Sequence, residues 1–154
     1  MGIIVGGELP SKLIEYLRGH RVAYVATVDA DGWPDTAPIS WIVAVSSRLI
    51  HMAIDSGVET VANIRENGHV RICVLGGNLT LSIKGEARIV KPRMDSVTVP
   101  TTMIEVAVVE VKDDGFWGRN DVDGAALPWS QRRQVASDIA ILAELRSEIP
   151  SPVL

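Results

Sequence analysis

The chain carries little of what marks most catalytic, nucleic-acid-binding or membrane proteins. Its one cysteine, Cys73, permits no intrachain disulfide. Its basic residues form no run, and the net charge is −4, so the Lys/Arg stripe of a nucleic-acid binder is missing. No apolar stretch approaches the roughly 20 residues that a spanning helix needs. The opening Met1 to Gly7 is too short for a signal-peptide core and lacks a basic flank. The expectation is therefore a cytoplasmic protein that binds neither nucleic acid nor membrane. The sequence has no Gly-x-Ser-x-Gly elbow and no Walker or dinucleotide glycine pattern. Aromatic residues make up only 5%, so Val, Ile, Leu and Ala must fill the interior. Interiors of that kind favour strands.

What is present is an apolar chain of one-domain length: 154 residues, 47% of them hydrophobic. Leu9-Pro10-Ser11 opens a helix that runs to about Gly19, with Leu13, Ile14 and Leu17 on one face. The period then changes. Arg21 to Val28 reads as a strand, Asp29-Ala30-Asp31-Gly32 as a hairpin turn with Gly32 at positive φ, and Asp35 to Val45 as the return strand. Leu49 to Ile54 completes a meander. Ser56 to Asn67 has helical spacing, with Asp55 or Ser56 as its cap. Strands follow at His69 to Leu75, Leu79 to Val90 and Thr102 to Lys112. A tail helix is predicted over Pro128 to Arg146, with Ile139, Leu142 and Leu145 as its apolar stripe. The order predicts a mainly β fold with flanking helices: a six-stranded antiparallel split β-barrel, which leaves few open edges. One domain spans 1–154, with its core over about 9–112 and a helical tail over about 116–154.

The remaining motifs have plain structural explanations. Asp29 to Gly32 and Asp121 to Gly124 look like fragments of calcium loops. The further acids that such a loop requires are replaced by Thr27 and Pro38, and by Arg119 and Ser130. His20, His51 and His69 lie too far apart for a metal-ligand spacing. His20 is expected to cap the first helix. Cys73, between Ile72 and Val74, is expected to be a buried small hydrophobe. No self-sufficient catalytic cluster is left, and no catalytic residue is assigned. A barrel without one suits a ligand that brings its own chemistry.

Two segments fit such a ligand. In Thr36-Ala37-Pro38-Ile39-Ser40-Trp41, Pro38 lacks an N–H and marks an edge, a bulge or a break in the pairing, where backbone groups become available. In Ile54-Asp55-Ser56-Gly57, a strand meets the start of a helix, where free N–H groups and the helix dipole favour a phosphate. Ser56 and Thr60 add hydroxyl donors. A bulge followed by an ordinary helix cap accounts for the same residues equally well.

The same residues resemble a known family. Val22 to Pro34, with its Ala-Thr-x-Asp-x-x-Gly-x-Pro pattern, looks like the opening hairpin of the pyridoxamine 5′-phosphate oxidase-like, FMN-binding split-barrel proteins. Ala37 to Trp41 resembles that family's second strand, Thr60 to Asn67 its helix, and Ser82 to Arg88 its Gly-x-Ala strand. The resemblance covers about residues 9 to 112. It implies a homodimer with FMN, ahead of a deazaflavin, in grooves between the subunits. The ring would lie along Ala37, Pro38, Ile39 and Ser40, and the phosphate near Ala53, Ile54, Asp55, Ser56 and Thr60. Thr80 would be a polar flavin contact, and Trp117 or Trp129 a cover for the ring. The family's usual phosphate-holding Arg or Lys is replaced here by Ala37, Glu59 and Thr60, with Arg65 or Lys84 as candidates to compensate. Residues for pyridoxal phosphate are not evident, so vitamin B6 oxidation is rejected. The implied activity is an FMN-dependent oxidoreductase of unknown substrate and electron donor. A non-enzymatic protein that binds flavin, deazaflavin or haem, and an apo structural dimer, remain alternatives.

Overall fold

A computed structural model describes residues 2–18, 20–115 and 135–146. The chain divides into two compact units, 1–124 and 125–154. The described residues of the first form eight strands and two helices: β1 (Ile3–Gly6), α1 (Ser11–Arg18), β2 (Ala23–Val28), β3 (Pro34–Ile39), β4 (Ile42–Ala44), β5 (Leu49–Asp55), α2 (Glu59–Glu66), β6 (His69–Gly76), β7 (Leu79–Lys91) and β8 (Thr101–Asp113). Within the second, the described residues form α3 (Val135–Arg146).

The sheet is antiparallel throughout, in the order β3-β2-β6-β7-β8-β5-β4, with β1 also paired to β8. Its curl follows from chain connectivity. β3 and β4 stand at opposite ends of that order, yet only Ser40 and Trp41 separate them. Three peptide steps span at most about 11 Å. The two ends of the sheet must therefore come together, which gives the split barrel. The expected return strand from Asp35 to Val45 is thus two strands, broken at Ser40-Trp41 rather than at Pro38. Pro38 pairs with Tyr24 in edge strand β3, where a missing N–H costs least. The broken strand and β1 account for eight strands where six were expected.

Period-two alternation builds the core. Val25, Ile50, Ile72, Ile83, Ile104, Val106 and Val111 point inward and are fully buried. Leu13 and Leu17 of α1 complete this interior, and α1 packs on β4. The Asp29 turn forms as expected. Its carboxylate accepts the N–H groups of Asp31 at 2.9 Å and Trp33 at 2.8 Å, and Gly32 has φ of 86°.

Three local expectations are corrected. α2 starts at Glu59, and its cap position is Val58, which makes no side-chain capping bond. Cys73 is exposed, because Ile72 and Val74 take the inward positions on either side of it. In α3 the apolar residues surround the helix instead of forming a stripe, and Ile139, Ile141 and Leu145 are all exposed. Residues 128–134 of the predicted tail helix lie outside the described residues, as do Trp117, Trp129 and the segment Asp121 to Gly124.

Candidate functional site

The strand break creates a groove. Ala37, Pro38, Ile39, Ser40 and Trp41 form one wall, and Ala53, Ile54, Asp55, Val58 and Thr60 the other, around about 260 Å³. Eight of the ten residues proposed from the sequence line it. Past Ser40, Trp41 and Ala53 the groove adjoins a larger cavity of about 430 Å³, lined also by Arg18, His20, His51, Met94 and Met103.

The wall made by β5 and α2 is anchored in the core. Asn63 and Thr27 are both buried, and Asn63 Nδ2 donates to Thr27 Oγ1 at 3.0 Å. Val61 and Ile64 pack beside them. Thr60 is 2% exposed, lines the groove, and its hydroxyl has no hydrogen-bond partner among the described residues. An unpaired buried hydroxyl is costly, and a ligand hydroxyl or carbonyl would satisfy it.

Ser56 and Thr80 are placed differently. Ser56 Oγ lies 2.7 Å from Thr102 Oγ1, and Thr102 donates its own proton to Pro92 O at 3.0 Å. Ser56 must then donate to Thr102, and its hydroxyl has no proton left for a phosphate. Thr80 is the second residue of β7 and donates to Asp113 Oδ1 at 3.4 Å, at the far end of β8 from Thr102, which pairs with Ile54. Eleven residues of strand span roughly 35 Å. One subunit therefore does not bring Thr80 to the groove.

The expected phosphate end of the groove does not suit FMN within one subunit. Among the described residues no Lys or Arg lines it, and Asp55 presents a carboxylate. Three of the nearby N–H groups are committed internally: Ser56 to Pro100 O at 2.9 Å, Gly57 to Asp55 Oδ1 at 2.8 Å, and Val58 to Asp55 O at 3.3 Å, which leaves those of Glu59 and Thr60 in the first turn of α2. Glu59 occupies the first position of α2, where a negative charge already meets the helix dipole. Arg65 is in the last turn, about 9 Å along the axis. Lys84 lies opposite Arg71 on the outer face of the sheet, in a separate cleft of about 310 Å³.

The three histidines and Cys73 occupy other places. His51 Nε2 and Glu105 Oε2 are 3.0 Å apart, and Arg88 reaches Glu105 Oε1 at 2.9 Å. The His51 hydrogen bond first, and Arg88 next, hold the Glu105 carboxyl below its ordinary range. This row across β5, β8 and β7 was not legible in the sequence, because only the register Arg88↔Glu105↔His51 assembles it. His20 follows α1 with φ of 56°, and His69 is exposed. Desolvation, with Asp114 adding to it, pushes the Cys73 thiol up despite its exposure; Arg71 and Lys112 oppose the shift. Among the described residues no cluster of His, Cys, Asp and Glu could hold a metal ion. No helix among them is long and apolar enough to cross a membrane.

Comparisons with known proteins converge on one family. The family model described as pyridoxamine 5′-phosphate oxidase matches residues 9–113. A solved structure of a protein from Lactobacillus delbrueckii, named as a putative pyridoxamine 5′-phosphate oxidase, is similar with a TM-score of 0.59 and 17% identity. That similarity covers 68% of this chain and 93% of the other. An FMN-binding protein from Syntrophomonas wolfei is similar with a TM-score of 0.56 and 18% identity, over 69% and 88% of the two chains. A protein named as an F420 reductase gives 0.57 and 15%, over 67% and 98%. No curated protein matches the chain.

Proposed function

The chain belongs to the pyridoxamine 5′-phosphate oxidase family, and from that premise we propose that it is a flavin-binding protein whose ligand lies in the groove between Ala37–Trp41 and Ala53–Thr60. The observation that carries this reading is the groove itself. It opens where the chain crosses between the two ends of the curled sheet, and it gathers residues from both segments that the family resemblance singled out. The names of the Syntrophomonas wolfei protein and the F420 reductase support a flavin or deazaflavin as the ligand class.

The wall at Ala37 to Trp41 suits the flavin ring. Pro38 and its small neighbours offer backbone and little bulk, and Trp41, half exposed, provides an aromatic face beside them. The flavin, when bound, supplies hydride or electron transfer; the chain orients it and keeps water from one face. The activity proposed is oxidoreduction of a small substrate by a cytoplasmic homodimer. Exposed Trp33, Tyr24 and Val43 provide apolar surface for a second copy. A flavin carrier without turnover is the second reading, favoured by the lack of basic side chains among the described residues at the inner end of the groove.

Titrating the purified protein with riboflavin and FMN, and following flavin fluorescence and thermal stability, tests the binding. Saturable quenching with a raised melting temperature is expected. No quenching and no shift with either flavin overturns the reading. Adding NADH or NADPH anaerobically then separates the two activities: bleaching of the bound flavin supports the oxidoreductase, and an unchanged spectrum supports the carrier.

A further inference from the structure

The inner end of the groove has a definite chemical preference. Among the described residues it contains one carboxylate, Asp55, and one buried hydroxyl without a partner, Thr60. Asp55 Oδ1 accepts the Gly57 N–H at 2.8 Å, while Oδ2 has no partner among the described residues. Asp55 is exposed, and Glu59 stands four residues further on. An acceptor oxygen on an acid and a hydroxyl that both donates and accepts are what a neutral polyol needs. For a phosphate the same end is unfavourable. Its dianion would meet the charges of Asp55 and Glu59, and the N–H groups of Ser56, Gly57 and Val58 and the hydroxyl proton of Ser56 are already spent on the protein, so only the N–H groups of Glu59 and Thr60 are left to oppose that repulsion.

Building on the flavin reading, we infer that this groove selects a flavin that ends in an uncharged polyol, of the riboflavin type, over its 5′-phosphate. Asp55 is the residue that discriminates. Its free oxygen accepts a terminal hydroxyl of the ribityl chain, and its charge repels a phosphate at the same place. Thr60 supplies the second hydrogen bond. The selectivity is a difference between two ligands that share the ring, so contacts along Ala37 to Trp41 cancel out of it.

The test is a pair of fluorescence titrations, riboflavin and FMN, on the full chain and on Asp55→Asn. Asparagine keeps the oxygen that accepts the Gly57 N–H, so the turn before α2 is retained. Riboflavin is expected to bind about ten-fold tighter than FMN, or more, at low salt. The gap should shrink as salt is raised, because exposed charges are screened over about 8 Å at physiological ionic strength. Asp55→Asn should bring the two affinities to within about three-fold. FMN binding as tightly as riboflavin overturns this inference but leaves the flavin reading standing; basic side chains reaching the groove from a second copy would produce that result. A gap that survives Asp55→Asn and high salt overturns the role of Asp55. Failure of both flavins to bind overturns the inference and the flavin reading together. The salt dependence is read on the unmodified protein, so the test holds even if the variant folds poorly.

Discussion

The two walls of the groove are built in opposite ways. The wall at Ala37 to Trp41 belongs to β3 and the two residues after it, at the edge of the sheet, and it offers backbone and one half-exposed indole. The wall at Ala53 to Thr60 belongs to β5 and the start of α2. It is tied to the interior through Asn63, Val61 and Ile64. An edge wall can adapt to any flat ring. A wall pinned in the core holds its polar groups in place and can discriminate between ligand ends. Recognition of the ring and selection of the ligand end are thus carried by different parts of the sheet.

The largest expected effect falls just past α2, whose first turn forms part of the pinned wall. A Cβ at Gly68 would lie 2.5 Å from Ala87 O, whose own residue donates its N–H to Gly68 O at 2.7 Å. Gly68→Ala should destabilise the fold by about 3 kcal/mol in urea titration and weaken flavin binding with it. Next, Asn63→Ala should cost about 2 kcal/mol, because the buried Thr27 hydroxyl loses its partner. Adding Thr27→Val should recover much of that loss, which a double-mutant cycle will read.

The edge wall should respond differently. Trp41→Ala should weaken flavin binding about ten-fold yet change stability by less than about 0.5 kcal/mol. If Trp41→Ala destabilises as much as Asn63→Ala, the contrast between the walls is wrong.

The smallest effect lies away from both walls and depends on pH. The folded-state pKa of Glu105 is depressed, chiefly by the His51 hydrogen bond. Its contribution is fully present above the ordinary carboxylate range, and it is lost as pH falls through the depressed folded value. Urea midpoints measured against pH should show the chain and Glu105→Gln separated by a constant amount near neutrality and converging in acid. Flavin affinity should not follow that change.

Local chemistry in the sequence accounts for much of this architecture, and long-range pairing for the rest. The Asp29 turn and the alternation in β2, β6 and β7 are legible because they depend on near neighbours. The Cys73 position was readable too: a residue between two inward-facing ones at period two must face out. The break at Ser40-Trp41 was not, since an apolar pattern runs through it and only closure of the sheet demands it. β1 gains its place from the far end of β8, four residues against a partner more than a hundred positions away. In the groove, residue types could suggest Asp55 and Ser56 as caps. Only coordinates show that the Ser56 proton goes to Thr102 and that Asp55 turns the inner end acidic.

The most direct test of the account is an amide chemical-shift map of the isotope-labelled protein titrated with riboflavin. The shifts should concentrate on Ala37, Ile39, Ser40, Trp41, Ala53, Ile54, Asp55 and Thr60, the two walls of one groove. Shifts centred instead on the cleft of Arg71 and Lys84, or none at all, would contradict it.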